Sequence, residues 1–437
     1  MLFIRNLFKR AVSTPEKKVI VGNFFSLSFL QVTDYILPLI TLPYLVRILG
    51  PERFGLIAFA RAFVQYFVIL TDYGFNLSAT REIAINRQDK EKVEKIFSSI
   101  IAIKLCFLAF SFLVLMFFVF FVAKFRSDWP VYIFSFGMVM GNALLPVWFF
   151  QGMERMKYIT FLNISAKLIF TVSIFLFIKE SQDYIYVPLI NSLGFLIAGV
   201  LGLWVVRNSF GIKFRRPDLE NIKYQLKEGW HIFISGVSVS LYTTSNTFIL
   251  GLFTNNTIVG YYSAGERLIR AVQNLMAPLS NSVYPYVSKL ANKSREKALI
   301  FIRKLTIFVG SGSFVISLVI FVFAGFIIDT ILGPQYRESI IVLRILAFLP
   351  FLTSLNTMLG TQTMLPFNLK EALSKIFISA GIINVILAVL LAPIYKHIGV
   401  SAAVLLTEVL VAAVMFFYLK HRGLILLRQP RKSETMS

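Results

Sequence analysis

The chain has 437 residues, 57% of them apolar, 15% aromatic and only 15% charged, with a mean hydropathy of +0.74. Soluble domains carry about one quarter charged residues and under half apolar ones, so a water-soluble globule is excluded, as are disordered, collagenous and coiled-coil chains. The net charge of +22 does not read as nucleic-acid binding, because Lys and Arg fill the gaps between apolar runs, as membrane topology requires.

Residues 1–15 form a basic tail (MLFIRNLFKR, then AVSTP). The apolar run behind it is too long for a cleaved leader and ends in LVRILGPERFG, not in a small-residue cleavage site, so it reads as an uncleaved first span. A helix crosses the hydrocarbon core with about 20 mostly apolar residues. Twelve segments qualify: 19–46, 55–80, 96–122, 131–151, 158–178, 185–206, 229–252, 258–288, 299–328, 338–363, 371–394 and 399–419. Pro38, Pro43, Pro146, Pro278 and Pro285 lie inside spans and predict kinks. The expected fold is all-α and polytopic, with about 12 transmembrane helices in two six-helix lobes. The N-lobe covers 16–206, a cytoplasmic linker 207–228, the C-lobe 229–421 and a second tail 422–437. In the linker, Leu219, Ile222 and Leu226 share a helical face behind Asp218, a candidate N-cap. An interfacial helix and an ordinary basic loop both fit this stretch.

Lys and Arg in the tails and the loops on one side outnumber those on the other roughly four to one, which places both termini in the cytoplasm. The halves echo each other: Gly22 and Gly229 head matching spans, and Gly152 precedes Lys167 as Gly360 precedes Lys375. Six spans per half is an even number, so the repeat is parallel, about an axis along the membrane normal. The single cysteine, Cys106, permits no intramolecular disulfide, and His231, His397 and His421 have no ligand spacing, so no metal site is expected.

Ionisable groups at membrane depth carry the functional signal, because each costs at least about 2.5–3.5 kcal/mol at a helix centre unless it finds a cavity, a partner or the interface. The basic ones are Arg61, Lys104, Lys167, Arg267, Arg270, Arg344 and Lys375; the acidic ones are Asp34, Asp72, Glu266 and Glu408. The surplus of cations calls for an anionic ligand. Arg267, Arg270 and Asn274 share one helical face, Arg61, Gln65 and Asp72 another, and Asn163–Lys167–Thr171 is matched by Glu371–Lys375–Ser379. We read Arg61, Lys104, Lys167, Arg267, Arg270, Asn274 and Lys375 as lining a water-filled cavity, and Asp34, Asp72 and Glu266 as candidates for ion coupling. Snorkelling to the interface is the competing reading for the lysines and for Arg344, Arg61, Arg267 and Arg270.

Four stretches, LGPERFGLIAFARAF (49–63), TDYGFNLSATREIA (71–84), VWFFQGMERMKY (147–158) and DYIYVPLINSLG (183–194), resemble the O-antigen, Wzx-type flippases of the multidrug/oligosaccharidyl-lipid/polysaccharide exporter superfamily. The resemblance implies a non-enzymatic flippase of the bacterial inner membrane. It would carry an undecaprenyl-diphosphate-linked oligosaccharide, without a cofactor but with H+ or Na+ coupling, among membrane lipids and beside a polysaccharide polymerase and a chain-length regulator. A multidrug exporter of the same superfamily is the alternative, although a cationic drug calls for carboxylates and aromatic rings. A membrane-embedded polymerase or ligase fits less well, since the outer loops are short and no nucleophile, phosphate-loop or metal motif is present. A major-facilitator transporter is disfavoured by the loop NRQDKEKVEK, which lacks that family's basic motif.

Overall fold

A chain in hydrocarbon must satisfy its backbone polar groups internally, and the computed structural model, which describes residues 15–424, is built of helices joined by short turns and one extended segment, with no strand among those residues. The contacts divide the chain into two units, 1–240 and 241–437. Eight stretches of the described residues are long and apolar enough to cross a membrane. Two of these contain a break where a loop is predicted. The 58-residue helix α1, Pro15–Asp72, is interrupted at Gly50 (φ 70°), and the 52-residue final helix, Lys370–His421, at Lys396 (φ 51°). Pro38 and Pro43 lie within α1, yet the one non-helical residue there is Gly50, just ahead of Pro51.

In the first unit α1 is followed by α2 (Phe75–Asn86), α3 (Lys90–Phe121), α4 (Ala123–Arg126), α5 (Trp129–Leu144), α6 (Val147–Gly152), α7 (Met156–Phe177) and α8 (Tyr186–Phe210). Helices α5 and α8 form its most extensive seam. Small residues permit the approach: a Cβ on Gly199 would lie 2.8 Å from the Gly141 carbonyl oxygen, and one on Gly202 would lie 2.9 Å from Pro146. Without a hydrophobic force between helices in lipid, such backbone approach supplies the dispersion contact. A buried core of Trp148, Phe149, Phe150, Phe97, Ile100 and Ile83 closes the end of the unit that carries the basic loops. There α3 is capped by Asp89, whose carboxylate accepts the Lys92 N–H at 3.1 Å. That bond, foremost among several from Lys92, holds the Asp89 carboxyl below its ordinary pKa.

The linker is ordered and belongs to the first unit. Gly211 (φ 65°) ends α8, and the following segment runs along the start of α3. The Lys213 N–H donates to Glu94 at 3.1 Å, the Arg215 N–H to Ser98 at 2.8 Å, and the Arg215 guanidinium to Glu94 at 2.7 Å and Glu91 at 3.1 Å. Helix α9 (Leu219–Thr243) then begins, with Asp218 accepting the Glu220 N–H at 3.3 Å. Ile222 and Leu226 pack on the core while Leu219 stays exposed. The Gln225 amide donates to Glu82. Further along, Gly229 passes so close to Tyr73 that a Cβ would lie 2.8 Å from its carbonyl oxygen, and Phe233 stacks on the Tyr73 ring at 4.7 Å. Helix α9 thus runs from the linker into the stretch predicted as the seventh span and docks at the break between α1 and α2. That stretch is divided between α9 and α10, and neither it nor the predicted eighth span is among the eight apolar stretches.

The second unit holds α10 (Ser245–Phe253), α11 (Asn256–Lys293), α12 (Arg295–Val322), α13 (Ala324–Ile331), α14 (Ser339–Leu346), α15 (Leu349–Leu359), a π-helical turn at Gly360–Met364 and α16 (Lys370–His421). Helix α16 packs on α10, α14 and α15, and α12 packs on α15. Its core gathers Val287, Ile302, Leu359, Met364, Leu373, Val411 and Met415.

Candidate functional site

The end of α1 carries Thr71 and Asp72 immediately before a double left-handed break at Tyr73 (φ 42°) and Gly74 (φ 81°). This turn directs Asp72 toward α3, where the Lys104 ammonium meets it at 3.0 Å. The Lys104 side chain is 2% exposed and that of Asp72 31%. A charge withdrawn so far from water persists only because its partner is in place. Lys104, expected in the cavity, and Asp72, expected to couple ions, are therefore each other's partners. Arg61, on the same helix as Asp72, is exposed. Lys167 is half-buried and engaged in an interaction of its own, while Asn163 donates its amide to the Ile159 carbonyl at 2.9 Å. The side chain of Asp34 lies outside the described residues, as do both tails, 1–14 and 425–437.

In the second unit the acidic and basic groups sit on one helix. On α11, Glu266 accepts from Arg270 Nε at 3.1 Å and from Nη2 at 2.8 Å, four residues along. Thr247 of α10 donates to the other Glu266 oxygen at 3.5 Å. The Arg270 side chain is 44% exposed and that of Glu266 15%, so the carboxylate fixes one edge of the guanidinium while close to half of the arginine stays accessible. Arg267 is half-buried beside Tyr336. Burial drives that phenol's pKa up, against the pull of the Arg267 charge. Asn274, one turn beyond Arg270, is exposed, and Gln273 beside it donates to Thr353 at 3.3 Å. Lys375 is exposed together with Glu371 and Ser379, whereas Thr171, the counterpart of Ser379, is buried. The two stripes that match in sequence thus differ in exposure.

Among the described residues no group of three or more His, Cys, Asp or Glu is placed to hold a metal ion. One buried constellation escaped the reading by helical faces: Glu408 on α16 and Asn356 on α15, joined by a 2.6 Å hydrogen bond. Glu408 stood out only as an acid within an apolar run, and Asn356 gave no signal at all.

These features define an integral membrane protein of many passes, with charged pairs held inside helical units. Solved structures share the fold. A multidrug resistance MATE family transporter of the MOP superfamily superposes with a TM-score of 0.70 at 15% identity, covering 89% of this chain and 95% of that one. The lipid II flippase MurJ superposes with a TM-score of 0.67 at 14% identity, covering 92% of this chain and 87% of the other. In sequence, a protein of Escherichia coli (strain K12) that carries the name O-antigen transporter is 34% identical over 404 residues, 92% of this chain and 97% of its own length. The chain belongs to the polysaccharide biosynthesis protein family, whose model matches residues 20–291.

Proposed function

We propose that this protein is a flippase that carries a lipid-linked oligosaccharide, of the undecaprenyl-diphosphate type, from the cytoplasmic to the outer leaflet of a bacterial inner membrane. The reading rests above all on the cations at membrane depth: Arg61 and Lys375 are exposed and Arg270 is half-accessible, in a chain with few compensating acids. Guanidinium groups suit this ligand because their planar donors meet phosphate oxygens in pairs. The diphosphate and sugars traverse a cationic, water-filled path by alternating access while the prenyl tail stays in lipid. Both termini are cytoplasmic, as the distribution of Lys and Arg requires. A proton or sodium gradient drives the cycle, with Asp34 a coupling candidate of the first unit, and a polymerase and a chain-length regulator consume the product.

The multidrug alternative is weakened by a specific observation. A cationic drug needs carboxylates to receive it, and two of the acids at depth, Asp72 and Glu266, already hold Lys104 and Arg270. The deciding experiment reconstitutes the protein in vesicles with a fluorescent undecaprenyl-diphosphate oligosaccharide and follows its transfer between leaflets. Transfer that is absent, together with efflux of cationic dyes, would overturn the proposal in favour of the exporter. Within the same assay, Asp34→Asn is expected to slow transfer and to remove part of its gradient dependence; unchanged coupling clears Asp34 of that role.

A further inference from the structure

The second unit holds a carboxyl that the proposed substrate path does not use. Glu408 is buried in the apolar half of α16 that follows the break at Lys396. The Asn356 Nδ2 group donates twice to this one residue, at 2.6 Å to the carboxylate and at 3.2 Å to the Glu408 backbone carbonyl. One amide therefore ties α15 to α16. The opposite end of that amide, the Asn356 Oδ1 atom, is buried and accepts no hydrogen bond. A buried acceptor left without a donor costs about 1–3 kcal/mol, and its position beside a carboxyl suggests a second arrangement in which it is satisfied.

We propose that Glu408 is a proton-carrying residue and that Asn356 is the switch that reads its protonation. In the arrangement seen here Nδ2 donates to a carboxyl oxygen of Glu408, the orientation that suits the ionised form. When Glu408 takes up one proton from water, forming an O–H bond on the carboxyl oxygen that Nδ2 faces, that oxygen becomes a donor while the other keeps its acceptor capacity. A half-turn of the amide about its terminal bond then lets Oδ1 accept from the new O–H, in exchange for both Nδ2 bonds to Glu408. Release of the proton to the opposite aqueous side reverses the change. No oxidation and no other covalent step is involved.

The surroundings suit such an exchange. Neither α10 (SNTFILGLF) nor α15 (LPFLTSLNTML), both packed on α16, carries an ionisable side chain, and neither does the π-helical turn (GTQTM). Helix α14 contributes only Arg344, which is exposed; α11 carries the half-buried Arg267 and the Glu266–Arg270 pair, with Lys289 and Lys293 toward its far end; and on α16 itself the buried His397 precedes Glu408 by about three turns. Helix α15 also leads directly into the π-helical turn Gly360–Met364. There Gln362 donates to the Ser280 carbonyl at 2.8 Å and to its hydroxyl at 3.0 Å, and Thr363 donates back to Met358 at 2.7 Å. Short π segments concentrate at functional sites because the extra residue is easily repositioned. A change in the tie between α15 and α16 thus has a route to α11, the helix that carries Arg267 and Arg270.

This inference rests on the flippase reading for its role, but the test separates the two. In vesicles with an imposed proton gradient, Glu408→Gln is expected to lose about 5- to 150-fold of the gradient-driven acceleration while still binding the lipid-linked sugar, and Glu408→Asp to keep part of it. Infrared difference spectroscopy of the purified protein is expected to show a protonated-carboxyl band that grows as pH falls. That band should be missing in Glu408→Gln and should titrate at a different pH in Asn356→Leu. Full gradient dependence in Glu408→Gln overturns the inference, and so does an infrared titration that neither substitution changes. A wild-type protein that moves no lipid-linked sugar would defeat the flippase reading alone, leaving the infrared titration to judge Glu408.

Discussion

Among the described residues each unit shows a close acid–base pair at membrane depth, and the two are built differently. In the first, Lys104 on α3 meets Asp72 at the end of α1, with the ammonium almost completely enclosed. In the second, Glu266 and Arg270 lie one turn apart on the same helix, and nearly half of the arginine side chain is accessible. A pair that joins two helices fixes their register, and its enclosed ammonium is shut away from any ligand. A pair within one helix sets no register by itself, although Thr247 of α10 also reaches Glu266, and it orients its arginine. The same chemistry is thus structural in one unit and presentational in the other.

The sharpest way to break this comparison is to remove the presented charge. Replacing Arg267 and Arg270 together with Ala is expected to abolish surface polysaccharide in a complemented host while protein levels in the membrane hold. Normal display from that double variant would refute the assigned role.

Next in size, Lys104→Met should destabilise the protein by about 3–5 kcal/mol, the penalty of stranding one buried partner of an ion pair. The double variant Lys104→Met with Asp72→Leu should recover most of that loss, because no buried charge remains. Thermal unfolding in detergent measures both; equal damage from the single and the double variant would show the pair to be incidental. Glu266→Gln should leave stability nearly unchanged, since a helical i, i+4 pair contributes about 0.3–0.5 kcal/mol. It should nevertheless weaken substrate binding several-fold as Arg270 loses its orientation, and its fluorescence-binding isotherm is the check.

The smallest expected effect lies in a loop. The Asp89 carboxyl, held below its ordinary pKa by the Lys92 N–H, stabilises the start of α3 in its ionised form. That contribution is present above the unfolded-state pKa and is lost as pH falls through the lower folded-state value. Asp89→Ala should therefore lower the melting temperature slightly at neutral pH and not at all in strong acid.

Much of the architecture was legible along the chain. The turn at GPERFG became the break at Gly50, the short gap around Lys396 became the break in α16, and Asp218 opens the linker helix, all within the predicted loops. The Glu266–Arg270 spacing was visible too, because helix periodicity alone brings i and i+4 together. The pairing of Lys104 with Asp72 was not, since 32 residues and a left-handed turn at Tyr73 and Gly74 separate them. Nor was the docking of the linker, where Arg215 reaches back 121 residues to Glu94.

Hydropathy and charge act residue by residue, and lipid leaves a backbone little choice but helix, so an all-helical membrane class can be read without coordinates. Which charge neutralises which, and which is left to meet a ligand, depends on distances between helices that no local pattern encodes. Packing alone enclosed Lys104, left Arg270 half-accessible, and set the Asn356 amide against Glu408.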